Sequence, residues 1–159
     1  MDIIAGPSGE YDWIVMDPSI DFAALFKDFD TALMGRRSFE IARENPAGFM
    51  SGMKTVVCSR TLEATDYPNV EIIHDAVREV ASLKAEPGKD IWLFGGGDLF
   101  RSLLDAQLVD TIEVSVAPIL LSQGIPLLPL GQRSPQLTLT EHKILPSGIA
   151  TLCYAVKYE

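Results

Sequence analysis

At 159 residues, with 47% hydrophobic and 22% charged positions, the chain has the size and composition of one globular domain, and no apolar run approaches the ~20 residues that cross a bilayer. A formal charge of −9 disfavours nucleic-acid backbones and anionic lipid surfaces, so a phosphorylated ligand has to be held by local donors. Cys58 and Cys153 stand alone in apolar, strand-like runs without metal or redox spacing, and no basic-then-apolar leader opens the sequence; reduced thiols, no metal site and cytoplasmic residence are expected.

Phe22, Leu25, Phe26 and Phe29 recur at helical spacing and predict a helix from Asp21 to Asp28, followed by a strand over Thr31–Met34 ending at Gly35. Ser38 to Glu44 reads as the next helix, and the β-branched run Lys54–Ser59 as a second buried strand. Val70–Ile73 is a short strand, after which Asp75 caps a helix with Val77, Val80, Ala81 and Leu83 on its apolar face. Asp90–Phe94 leads into Gly95-Gly96-Gly97; Asp98 is expected to cap a helix turning Leu99, Phe100, Leu103 and Leu104 inward, before a strand over Asp110–Ala117. Alternation at Leu137 and Leu139, a turn at Pro146-Ser147-Gly148, and alternation through Leu152, Tyr154 and Val156 predict a C-terminal antiparallel hairpin that closes the sheet. No linker, repeat or composition shift divides the chain, so residues 1–159 read as a single domain.

Three turns carry chemistry. Glycines after a buried strand and before a helix let backbone amides approach an anion, which suits Gly95-Gly96-Gly97; a tight turn without ligand explains them equally well, and the Asp98 carboxylate opposes a phosphate. Gly35-Arg36-Arg37-Ser38 offers two guanidiniums at another strand-to-helix junction, and Ser59-Arg60-Thr61 adds hydroxyls and a third guanidinium. Their joint position, past the ends of apolar strands, is where open α/β sheets bind ligands. His74 and His142 are isolated and carry no motif.

The runs Thr31-Ala-Leu-Met-Gly-Arg-Arg-Ser-Phe-Glu40, Lys54-Thr-Val-Val-Cys-Ser-Arg-Thr-Leu62 and Ile91-Trp-Leu-Phe-Gly-Gly-Gly-Asp-Leu99 resemble the dihydrofolate reductase superfamily in order and spacing. Val109 to Leu121 followed by Gly124-Ile-Pro-Leu-Leu128 resembles the branch that includes the C-terminal reductase domain of the riboflavin-biosynthesis deaminase-reductase. The resemblance implies a dihydrofolate reductase-like three-layer α/β/α sandwich, with a mixed, mainly parallel central sheet and the C-terminal hairpin. It implies NADPH as cofactor, with Gly35, Arg36, Arg37 and Ser38 at the phosphates, Ser59 and Arg60 at the adenosine ribose and its 2′-phosphate, and Gly95, Gly96, Gly97, Asp98 and Leu99 around the pyrophosphate. It also implies a cis peptide between Gly95 and Gly96.

Relative to the superfamily, Met1-Asp-Ile-Ile-Ala-Gly6 retains little of the first strand, and reduced activity is one expected consequence. Gly6-Pro-Ser-Gly9 through Trp13 resembles the loop over the nicotinamide, with Trp13 and Ser115 on the substrate side. The acid at the first helix is Asp17 counted from Trp13, or Asp21 counted back from Phe26-Lys27. Met53 stands where a folate reductase carries the arginine that clamps the substrate tail, so dihydrofolate is disfavoured. The expectation is an NADPH-dependent reductase of a pterin-like or ribosylaminopyrimidine-like heterocycle, resembling 5-amino-6-(5-phosphoribosylamino)uracil reductase. The alternative is a dimeric dinucleotide-binding domain without turnover. A homodimer is expected, with Ala117–Leu121 and Ile125–Leu130 as contact surface; nucleic-acid and membrane partners are not.

Overall fold

The computed structural model describes residues 3–44, 52–131 and 135–158. In chain order the elements are β1 (Ile3–Ala5), α1 (Phe22–Phe26), β2 (Phe29–Gly35), α2 (Arg36–Glu44), β3 (Lys54–Cys58), β4 (Glu71–Ile73), α3 (Ala76–Ala85), β5 (Asp90–Gly95), α4 (Gly97–Asp105), β6 (Thr111–Val116), β7 (Ile125–Pro126), β8 (Gln136–Ile144) and β9 (Ala150–Lys157). They fall into two compact units: Phe22–Leu108, and a second unit made of the residues up to Asp21 with those from Val109 onward.

In the first unit β2, β3, β4 and β5 form one parallel sheet in the order β4-β3-β2-β5. Thr31 to Met34 is buried without a break, as a central parallel strand covered on both faces has to be. Alternate side chains then sort by face. Ala32 and Met34 cluster with Val57 of β3 and Phe39 of α2, and Met53, Tyr67 and Trp92 pack against that cluster. Asp75 caps α3 by accepting the Arg78 N–H at 3.1 Å, as its place before an apolar face predicts.

Two local readings change. α1 is five residues long, because the Lys27 N–H already closes a turn onto the Ala24 carbonyl at 3.3 Å and β2 starts at Phe29. Gly96, not Asp98, occupies the N-cap of α4: its extended backbone (φ −88°, ψ −174°) starts the helix at Gly97, and Asp98 falls in the first turn, where the helix dipole still favours a carboxylate. The inward face of α4 holds Leu99, Leu103 and Leu104, while Phe100 is half-buried and Arg101 is buried in its stead. The ion pair of Arg101 with Asp105, one turn along, lets the guanidinium leave water.

In the second unit β6, β9 and β8 form an antiparallel sheet in that order, so the predicted hairpin is present and pairs through β9 with β6. The parallel and antiparallel strands are thus hydrogen-bonded as separate sheets. β1 pairs antiparallel with β7, a two-residue strand that composition does not announce. Gly124 is required there, since a methyl group on it would fall on the carbonyl oxygen of Ala5 and the side chain of Ile3. Tyr158 closes the unit by donating its hydroxyl to the Val109 carbonyl at 2.6 Å. Among the described residues no helix is long and apolar enough to cross a membrane.

Candidate functional site

Parallel pairing puts the carboxyl ends of four strands in a row. The register sets Ile73 beside Cys58, Cys58 beside Gly35, and Met34 beside Gly95. The residues that follow each strand therefore line one edge: His74 after β4, Ser59-Arg60-Thr61 after β3, Arg36-Arg37-Ser38 opening α2 after β2, and Gly96-Gly97-Asp98 after β5. The three donor-bearing turns singled out in the sequence share this edge.

Two of them touch. A methyl built on Gly96 would lie 3.4 Å from Ser38 Oγ, and one on Gly35 would lie 3.7 Å from the Gly96 nitrogen. Gly95 has φ +131°, a conformation that side chains other than glycine's rarely adopt, and the Gly95–Gly96 peptide is cis, as the resemblance implies. The Phe100 N–H makes a 3.0 Å bond to the Gly96 carbonyl, so the amides of Gly97, Asp98 and Leu99 come before the first turn closes. These amides and the helix dipole give the turn positive potential.

Cationic groups flank it. Arg36 is half-exposed and pairs with Glu40 at 3.2 Å, while Arg37 and Arg60 are exposed. Ser59 is buried, and its Oγ accepts the N–H groups of Thr61 at 3.2 Å and Leu62 at 3.0 Å. The hydroxyl therefore fixes the turn that presents Arg60, and Thr61 Oγ1 lies 3.5 Å from it. Cys58, just inside this edge, is inert: burial, followed by the nearby Glu79 charge, pushes its thiol up to about 12.

The candidates on the substrate side belong to the second unit. Asp17 is 3% exposed; its carboxylate accepts from Ser19 N at 2.8 Å, Ser19 Oγ at 2.6 Å and Ser147 N at 2.9 Å, which ties the segment after Trp13 to the hairpin turn. Hydrogen bonding from Ser147, then from Ser19, holds this carboxyl well below the usual carboxylate range, so it is an anion and not a proton donor at neutral pH. Asp21 is exposed immediately before α1. The Trp13 indole N–H is buried without a hydrogen-bond partner among the described residues. Ser115 is exposed on β6, with its Oγ 3.2 Å from Thr151 Oγ1 across the strand pair. Met53 packs on the core of the first unit. No group of three or more His, Cys, Asp or Glu side chains among the described residues is arranged to hold a metal ion.

Two further residues lie at this edge without a motif to mark them. His74 is isolated in the sequence, and its place one residue past a parallel strand puts it in the same row as the arginines. Phe94, which precedes Gly95, stands 5.2 Å by ring centroids from Trp92, whose ring centroid is 4.7 Å from that of Phe26 of α1 with the planes tilted by 37°; these rings form an aromatic wall next to the glycine turn.

A parallel four-stranded sheet, in one chain with antiparallel sheets, defines a dihydrofolate reductase-like α/β fold. A Shewanella sp. PV-4 protein named for riboflavin biosynthesis shares it, with a TM-score of 0.83 over 99% of this chain and 93% of that one at 22% identity. A pyrimidine reductase-like protein of Corynebacterium diphtheriae matches at TM-score 0.65 and 16% identity, covering 82% of this chain and 77% of that one. The RibD C-terminal domain family matches residues 3–151, and the chain belongs to that family. It is also 32% identical to the uncharacterized Bacillus subtilis (strain 168) protein YyaP, over 95% of this chain and 87% of that protein.

Proposed function

We propose that this chain is an NADPH-dependent reductase of a small heterocycle, pterin-like or ribosylaminopyrimidine-like, acting as a cytoplasmic homodimer. The observation that carries the reading is the row of donor-bearing turns along the carboxyl edge of the parallel sheet, with Gly96 open to close approach beside Ser38. The amides of Gly96 to Leu99 would hold the pyrophosphate at the start of α4, and Arg36, Arg37 and Ser38 would meet the phosphates from α2. Ser59 and Arg60 would take the adenosine ribose and its 2′-phosphate.

When bound, the cofactor supplies the hydride; the protein has only to orient the two partners and provide one proton. Asp21 is the better candidate for that proton, since Asp17 is held ionised and serves to position the segment behind Trp13. The Trp13 N–H, without a partner among the described residues, would donate to a ring heteroatom or carbonyl, for which a pterin or pyrimidine has the matching acceptors. Phe94 and its neighbours offer an apolar face to a flat ring.

A second reading, a dinucleotide-binding domain without turnover, is favoured by the state of the substrate-side polar groups: Asp17 and Ser115 are both satisfied within the chain. One experiment separates the two. Thermal unfolding is followed with NADPH, NADH and no ligand, and NADPH oxidation is then assayed against dihydrofolate and a panel of pterins and aminopyrimidines. The reductase reading expects stabilisation by NADPH and turnover of a panel member other than dihydrofolate. Stabilisation without turnover favours the binding domain, and no stabilisation by either dinucleotide refutes both.

A further inference from the structure

The antiparallel sheet of the second unit sorts its side chains by chemistry. Register sets Ile112 and Val114 of β6 opposite Tyr154 and Leu152 of β9, and sets Leu139 and Ile144 of β8 opposite Tyr154 and Ala150. Residues directly opposite one another share a face, so these side chains form one apolar surface across all three strands, with His142 beside Leu152 as its imidazole. The charged residues fall on the other side: Glu113 and Glu141 both pair with Cys153, and Lys143 pairs with Thr151. An antiparallel sheet with one apolar face ordinarily covers that face with a core. Here, among the described residues, none in β6, β8 or β9 is buried, and Leu139 and Ile144 are 49% and 73% exposed.

We propose that this face is the contact surface of the homodimer, packed sheet on sheet against the same face of a second copy; the inference rests on the homodimer reading above. Charge selects the occupant. Each chain carries a formal net charge of −9, so two copies repel, and they can meet closely only where neither presents like charge. The apolar face answers that condition, since the register leaves it without a carboxylate, ammonium or guanidinium while Glu113, Glu141 and Lys143 of the same strands lie on the reverse. A strongly charged partner of either sign would find no counter-charge on it. A second copy brings an identical apolar face, and about a two-fold axis the two match by symmetry. Sheets stacked in this way lie about 10 Å apart with their side chains interdigitated, which would give Leu139, Ile144 and Val116 the cover they lack in one chain.

Sedimentation velocity over a range of protein concentrations measures the monomer–dimer equilibrium of the wild type, Leu139→Lys, Ile144→Lys and Thr138→Lys, with circular dichroism to check that each variant is folded. At the two exposed apolar-face positions a lysine keeps its ammonium in water in the monomer, but in the dimer it would be desolvated and face the same charge on the second copy. Leu139→Lys and Ile144→Lys are each expected to raise the dimer dissociation constant by about 100-fold or more. Thr138 pairs with Ala155 on the reverse face, and Thr138→Lys is expected to stay within about threefold of the wild type. Ile144→Lys, at the more exposed position, serves if Leu139→Lys fails to fold. Dimers that persist in the apolar-face variants would overturn the assignment of this face and leave the homodimer reading standing. Equal weakening by Thr138→Lys and Leu139→Lys would overturn it too, in favour of edge-to-edge pairing through β8. A wild type that is monomeric at every concentration would overturn the homodimer reading and this inference with it.

Discussion

Gly96→Ala separates the fold from the function of the glycine turn. At φ −88° and ψ −174° Gly96 sits in extended backbone that alanine adopts freely, and the added methyl would meet Ser38 Oγ at 3.4 Å, an ordinary contact. Stability is therefore expected to change by less than about 1 kcal/mol, the usual scale for an uncrowded substitution. On the proposed cofactor reading, the methyl would crowd the approach of a pyrophosphate oxygen to the amides of Gly96 and Gly97 beside Ser38. Losing one charge-assisted hydrogen bond weakens binding by about 1.5–3 kcal/mol, or roughly 10- to 100-fold in the NADPH dissociation constant. Gly95→Ala makes the contrast: at φ +131° an alanine is strained whatever the space, at a cost of about 1–3 kcal/mol in stability. Urea unfolding and dinucleotide titration of both variants provide the assay. A Gly96→Ala protein that unfolds like the wild type and binds NADPH equally well would refute the assignment of this turn to the pyrophosphate.

Gly124→Ala drives a methyl into the backbone of β1, and overpacking of this kind is expected to lower stability by about 1–3 kcal/mol in urea unfolding, with the β1–β7 pairing lost first. Asp17 has a lowered folded-state carboxyl pKa, so its contribution is complete above the unfolded value of 3.8 and disappears as pH falls below it. Acid unfolding of Asp17→Asn should accordingly show a shallower loss of stability below about pH 4 than the wild type. Cys58, with its thiol at about 12, is expected to resist alkylation by iodoacetamide at pH 8 in the folded protein and to react once the chain is unfolded, as read by mass spectrometry of the labelled peptide.

Much of the parallel unit was legible because its signals are local. Thr31–Met34 and Lys54–Cys58 are unbroken apolar or β-branched runs, which buried parallel strands require, and Asp75 stands directly before an apolar helical face. The hairpin was legible from alternation on either side of Pro146-Ser147-Gly148. What the sequence concealed depends on partners far along the chain. β7 is a strand only because β1 pairs with it, and Ile125-Pro126 alone has no strand signature. Asp17 and Asp21 were indistinguishable until Ser147, 130 positions away, proved to hold the first of them. Arg101 was hidden by the assumption that a cation faces water, which its pairing with Asp105 removes.

The same division explains why a cofactor is easier to infer than a substrate. A parallel sheet converts sequence order into spatial order: once strands β4, β3, β2 and β5 are adjacent, the residue after each of them falls on one edge without further folding information. Three arginines and a glycine turn collect there, in a chain whose formal net charge is −9. Local concentration of donors against an opposing global field is what selective binding of one extended anion demands, since weak encounters elsewhere on the surface are disfavoured. Substrate-side groups gain no such ordering. Trp13, Asp17 and Asp21 lie outside any regular element, so no register orders them. There, the buried N–H of Trp13, without a partner among the described residues, says more about a ligand than the carboxylate of Asp17, whose partners are already supplied by the chain.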